Sequence, residues 1–75
     1  MIGLTKLEKD IVADLLMHGD NLPSNIGDNT GRHPTSVSRQ MANLEDMGFV
    51  RPKGNGVWSL TRKGFTAAQI LINSS

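Results

Sequence analysis

The sequence contains no cysteine, so neither a disulfide framework nor a thiolate metal site can be built from it. Imidazole is nearly as scarce: His18 and His33 are the two histidines, and they lack the spacing of a paired ligand set. No cofactor and no metal are therefore expected. No apolar run approaches the length of a membrane span, and the first residues carry no secretory signal pattern, which reads as a cytoplasmic protein without membrane contact. Length is short as well. At 75 residues the chain makes one domain, 1–75, whose folding buries roughly 60% of the extended surface. That leaves no room for a large pocket plus the scaffold to hold it. A hydroxyl–imidazole–carboxylate arrangement is missing, as is a phosphate-cradling glycine loop, so an enzyme is not expected.

Net charge is also small, at +1, but it is unevenly spread. Residues 1–30 set Lys6 and Lys9 against Glu8, Asp10, Asp14, Asp20 and Asp28, a balance of −3. Residues 31–75 set Arg32, Arg39, Arg51, Lys53, Arg62 and Lys63 against Glu45 and Asp46, a balance of +4. A cationic half of this kind is the electrostatic footprint of a polyanion binder.

What is present reads as helix, helix, helix, strand, strand, helix. "TKLE" at Thr5–Glu8 is a capping box, in which the Thr5 hydroxyl and the Glu8 carboxylate satisfy each other's backbone N–H groups. It opens a helix over about 5–18 with Leu7, Ile11 and Leu15 on one side, and Val12 and Leu16 off that stripe. Asp20–Leu22 is a short connector with weak strand character. "PSNIGDNT" predicts a second helix, 23–30, with proline in its first turn. Its intrinsic propensity is poor, so it depends on packing through Ile26. A third helix, 34–47, carries Val37, Met41 and Leu44 at i, i+4 and i+7, a narrow apolar stripe. "FVRPKGNGVWSL" is a hairpin signal, a wing over about 49–60. A two-residue Asn55-Gly56 turn would put Val50 on the face away from Trp58 and Leu60. A three-residue Gly54–Gly56 loop sets Val50 opposite Leu60, Arg51 opposite Ser59 and Pro52 opposite Trp58. Only the latter gathers the apolar residues on one side. Thr61 starts a last helix, 62–72, with Phe65, Ala68 and Ile72 on one stripe and Ala67, Ile70 and Leu71 on another side. Asn73–Ser75 reads as a frayed tail. Trp58 is expected in the core, as are Met17, Met41 and Met47.

Gly27, Gly31 and Val37 match the small–x₃–Gly–x₅–aliphatic spacing of a helix-turn-helix. The small residue lets two helices approach, the glycine makes the turn, and the aliphatic anchors the second helix. With the "LEDMGFV" exit, the Gly-tipped hairpin and "LTRKG" following in order, residues 4–70 resemble small winged helix-turn-helix repressors. These include MarR-like proteins and the repressor-like proteins of haloarchaeal phages. Gly27 stands where alanine is more usual. The resemblance implies a mainly α winged helix-turn-helix fold that binds double-stranded DNA sequence-specifically. The third helix would lie in the major groove, with the hairpin near the minor groove or the backbone.

The outer face of the third helix suits that use, because a helix lying close to base edges needs short side chains. Thr35, Ser36 and Ser38 offer hydroxyls near the helix N-terminus, where the dipole favours phosphate. Arg39, opposite the apolar stripe, has the reach and planar fork to read guanine O6 and N7, and Asn43 could pair adenine through N6 and N7. Gln40 sits nearer the core boundary. Arg32 and His33 precede the helix as phosphate contacts. Arg51, Lys53 and the tip residue Asn55 form the wing's contact set, against which stands the plainer reading of a solubilising edge strand. Arg62 and Lys63 open the last helix, an unfavourable place for cations that either a nearby phosphate or simple exposure would explain. The reading is a repressor acting as a homodimer, with Val12, Leu16, Ile70 and Leu71 as the dimer patch. The alternative is a winged-helix protein-interaction module with no nucleic-acid role, and RNA binding by the same face is a third reading.

Overall fold

The computed structural model describes residues 3–74. Its elements are α1 (Lys6–His18), α2 (Pro23–Thr30), α3 (Pro34–Asp46), β1 (Val50–Gly54), β2 (Val57–Leu60) and α4 (Arg62–Asn73). This is the mainly α arrangement with a hairpin wing that the sequence predicts. Both halves of the capping box form: the Glu8 N–H donates to Thr5 Oγ1 at 3.2 Å, and the Thr5 N–H donates to Glu8 Oε1 at 2.9 Å. Thr5 is thus the N-cap of α1 rather than its first residue. Met47 likewise caps α3 instead of continuing it. The tail is more ordered than expected. Asn73 belongs to α4 and the Ser74 hydroxyl donates to the Ile70 carbonyl at 2.7 Å, while Ser75 lies outside the described residues.

One core joins all four helices and the hairpin. Ile11, Val12 and Leu15 from α1 meet Ile26 from α2, Val37, Met41 and Leu44 from α3, then Phe49, Val50, Ala67 and Ala68. Each fully buried aliphatic of this size contributes roughly 1.5–3 kcal/mol relative to exposure. Ile26 is the one large side chain that α2 buries completely, so this weak helix does hang on it.

Three details differ from the expectation. The α4 stripe is Gly64, Ala67, Ala68 and Leu71, whereas Phe65 is 45% and Ile72 39% exposed. α4 packs on α1 and β2, Gly64 lies against the Phe49 carbonyl, and Phe65, about a quarter-turn from Gly64, falls outside the buried stripe. Met17 is 70% exposed, because α1 packs with Ile11, Val12 and Leu15 and leaves Met17 off that side. Val12 is wholly buried and cannot belong to an intermolecular patch.

The hairpin combines the two loops weighed above. Its strands pair Val50 with Leu60, Arg51 with Ser59 and Pro52 with Trp58, the register of the longer loop. Gly54 nonetheless pairs with Val57, leaving Lys53 as a bulge and Asn55-Gly56 as a two-residue turn. Both turn residues have positive φ, 55° and 80°, as the primed turns of tight hairpins require. Bulge and turn together keep Val50, Trp58 and Leu60 on the core side. The connector's weak strand character is realised as a bridge in which Asn21 and Trp58 exchange backbone hydrogen bonds of 3.1 and 2.9 Å.

Candidate nucleic-acid interface

The second and third helices are set by a tight turn. Gly31 ends α2 in the left-handed conformation, φ 71° and ψ 29°, which glycine adopts at low cost. The Gly27 carbonyl accepts from both the Gly31 and Arg32 N–H groups. A Cβ at Gly27 would stand 2.6 Å from the Arg32 carbonyl oxygen. The glycine in place of alanine therefore accommodates a turn wound closer than a methyl group allows.

His33 then caps α3: its Nδ1 accepts the Thr35 N–H at 3.1 Å. A neutral imidazole accepting at Nδ1 carries its proton on Nε2, so the exposed ring turns a donor outward. Along α3, Val37, Met41 and Leu44 are completely buried. That fixes the helix about its own axis and turns the opposite side to solvent. Thr35, Ser36, Ser38, Arg39 and Asn43 are exposed, and Gln40 is half-buried. Asn43 Nδ2 donates to Gln40 Oε1 at 3.1 Å, which leaves Asn43 Oδ1 and its second N–H unengaged by that bond. The Arg39 guanidinium has no hydrogen-bond or ion-pair partner among the described residues.

Arg32 and Lys53 are engaged. Arg32 Nη2 lies 3.2 Å from Asp10 Oδ2 of α1. On the wing, Lys53 Nζ lies 2.9 Å from Asp20 Oδ2 in the α1–α2 connector. The Lys53 ammonium, the Ser59 hydroxyl and the charge of Arg51 hold the Asp20 carboxyl below the usual carboxylate range. Sequence reasoning did not identify Asp10 or Asp20 as partners. They sit 22 and 33 residues from the cations they hold, and no local spacing announces such pairs. Arg51, Lys53 and Asn55 are exposed.

Lys63 has a structural explanation that needs no phosphate. Its Nζ donates to the Met47 carbonyl at 2.7 Å and sits 4.8 Å from the centre of the Phe49 ring. The cation at the start of α4 thus serves the C-terminal end of α3, where positive charge is favourable. The same clasp includes the Thr61 hydroxyl, which donates to the Gly48 carbonyl at 2.6 Å. The Thr61 N–H donates to the Phe49 carbonyl at 3.0 Å. Gly64 lies directly against that carbonyl oxygen, with no space for a Cβ. The "LTRKG" stretch is therefore what joins the last helix to the exit of α3. Arg62 is exposed.

Among the described residues, no group of three His, Cys, Asp or Glu side chains could hold a metal ion, and no helix is long and apolar enough to cross a membrane.

No family model matches the chain, and no curated protein does. Solved structures do match. A MarR family transcriptional regulator from Silicibacter pomeroyi superimposes with a TM-score of 0.88 at 19% identity, over 96% of this chain and 54% of its own. A MarR family regulator from Neisseria meningitidis gives 0.84 at 22% identity, over 95% and 54%. A transcriptional regulator from Thermotoga maritima gives 0.81 at 22% identity, over 95% and 53%. The chain spans about half the length of these proteins. Element order, the glycine-wound turn between α2 and α3, and these superpositions agree: the chain has the MarR-like winged helix-turn-helix fold.

Proposed function

We propose that this chain binds double-stranded DNA sequence-specifically and acts as a transcriptional repressor. In this reading α3 lies in the major groove and the β1–β2 hairpin meets the minor groove or the backbone. The observation that carries it is the outer face of α3: short hydroxyls and an Arg39 guanidinium unpaired among the described residues, opposite a stripe that is completely buried. Short side chains let a helix axis approach base edges, and a free planar fork can take guanine O6 and N7 together. The Thr35, Ser36 and Ser38 hydroxyls and His33 Nε2–H then serve phosphate oxygens at the positive end of the helix. Two of the superposable proteins are MarR family regulators, which favours the same reading.

A symmetric dimer on a palindromic operator belongs to this proposal, and so does a single-domain chain. Ile70, 52% exposed, and Phe65 and Ile72 flank the buried stripe of α4 on opposite sides. Ile70 keeps its place in the expected dimer patch, and Val12 leaves it. At 30 × 23 × 20 Å, two touching copies are of a size to set their α3 helices one duplex turn apart, ~34 Å.

Selection of bound sequences from a random duplex library tests the reading. It predicts enrichment of one motif with two inverted half-sites. It also predicts an affinity that falls with salt at a slope of about −0.9 per phosphate contacted. Recovery of unenriched sequence, with no salt dependence, would favour the protein-interaction module, and preference for an RNA competitor would favour an RNA-binding face.

A further inference from the structure

Two cations assigned to phosphate in the reading above are already held by carboxylates. Arg32 is held by Asp10, which also takes Lys6 at 3.3 Å, so its charge is shared. Lys53 and Asp20 form the simpler pair, 2.9 Å apart. Asp20 is not a chance neighbour on a loose loop. The next residue, Asn21, is fixed to Trp58 by two backbone hydrogen bonds, which pins the connector along the hairpin and presents the carboxylate to the bulged Lys53. The Ser59 hydroxyl and the Arg51 charge act on the same carboxylate. Both partners remain accessible, with side chains 48% and 41% exposed, so an incoming phosphate oxygen can reach the same ammonium.

We propose that Asp20 is a built-in competitor of DNA phosphate for the Lys53 ammonium, limiting how strongly the wing holds any duplex whatever its sequence. The inference rests on the DNA-binding reading. A carboxylate and a phosphodiester oxygen make the same kind of charge-assisted bond to Lys53. Moving Lys53 to phosphate breaks the bond to Asp20 and leaves an uncompensated negative charge beside a polyanion. Sequence-independent binding consists almost wholly of such phosphate contacts, so it bears this penalty with no base contact to offset it.

The test is titration of a labelled random-sequence duplex by fluorescence anisotropy between 50 and 200 mM salt. It uses the full chain and its Asp20→Asn, Lys53→Ala and doubly substituted variants. Asp20→Asn is expected to bind more tightly than wild type, with a salt slope steeper by about 0.9, one phosphate's worth. Its advantage should then shrink about 3.5-fold across that salt range. In the Lys53→Ala background the same substitution is expected to give little gain. Asp20→Ala, a different removal of the carboxylate, should behave like Asp20→Asn. If Asp20→Asn binds no better than wild type while Lys53→Ala binds worse, the competitor role is overturned and DNA binding stands. An equal gain with and without Lys53 also overturns it, because the effect would then be bulk charge. If wild type and every variant leave the duplex unbound at 50 mM salt, DNA binding itself fails and the inference falls with it.

Discussion

Replacing Gly64 by alanine separates helix propensity from packing. Gly64 lies in the first turn of α4, where alanine is intrinsically favoured over glycine by about 0.8–1 kcal/mol in a helix interior, so propensity alone forecasts a gain. The surroundings forecast a loss. A Cβ there would overlap the Phe49 carbonyl oxygen and press on a Leu60 methyl at 3.1 Å. The methyl belongs to a side chain and can turn aside. The carbonyl is backbone, held by the Thr61 N–H at 3.0 Å in a clasp that also contains the Thr61–Gly48 and Lys63–Met47 bonds. Relief requires α4 to lift from the α3–β1 turn. Overpacking of this kind costs typically 1–3 kcal/mol, which exceeds the propensity gain across most of that range. Urea unfolding should show a lower midpoint at unchanged slope, and the melting temperature should fall by roughly 4–8 °C per kcal/mol lost. Gly3→Ala, where a Cβ meets nothing within 4 Å, serves as the control. A Gly64→Ala protein as stable as wild type, or more so, would refute the claim that the glycine is required by the approach of α4 to the Phe49 carbonyl.

Further expectations follow from the same contacts. Gly27→Ala should destabilise by about 1–3 kcal/mol, measured by urea unfolding, because its Cβ would press on the Arg32 carbonyl. Met41→Ala, at a position with no exposure, should cost about 2–5 kcal/mol. A carboxyl NMR titration should find Asp20 below its ordinary value of 3.8 in the wild type and closer to it in Lys53→Ala. Because the folded-state value is lowered, the pair's stabilisation is present above the unfolded value and is lost as pH falls through the folded one. Ile70→Asp should abolish self-association in sedimentation at micromolar concentration while leaving the far-ultraviolet spectrum unchanged.

Local signals made most of the architecture legible. The Thr5–Glu8 box, the Gly31 turn and the Val37–Met41–Leu44 stripe each act over a few residues, and each forms as the sequence predicts. The orientation of the α3 outer face follows from that stripe alone. Pairwise tertiary choices were not legible. On α4 the two apolar stripes read from the sequence, Phe65–Ala68–Ile72 and Ala67–Ile70–Leu71, are both split: the buried side takes Ala67, Ala68 and Leu71 and leaves Phe65, Ile70 and Ile72 exposed. The apolar pattern favours the three-residue Gly54–Gly56 loop; its register forms, but a bulge at Lys53 lets Gly54 pair with Val57 and leaves Asn55-Gly56 alone at the tip. The ion pairs of Arg32 and Lys53 join segments brought together only by the fold, so both cations read as free in the sequence.

The central claim is that the outer face of α3 distinguishes one duplex from another through Arg39. Its most direct measurement is the affinity of wild type and Arg39→Ala for the selected operator and for a scrambled duplex of equal length, at one salt concentration. The account predicts a loss of about 1–3 kcal/mol on the operator, with relaxed preference at a single base pair, and little change on the scrambled duplex. Equal affinities of the two proteins for both duplexes, or an equal loss on both, would contradict it.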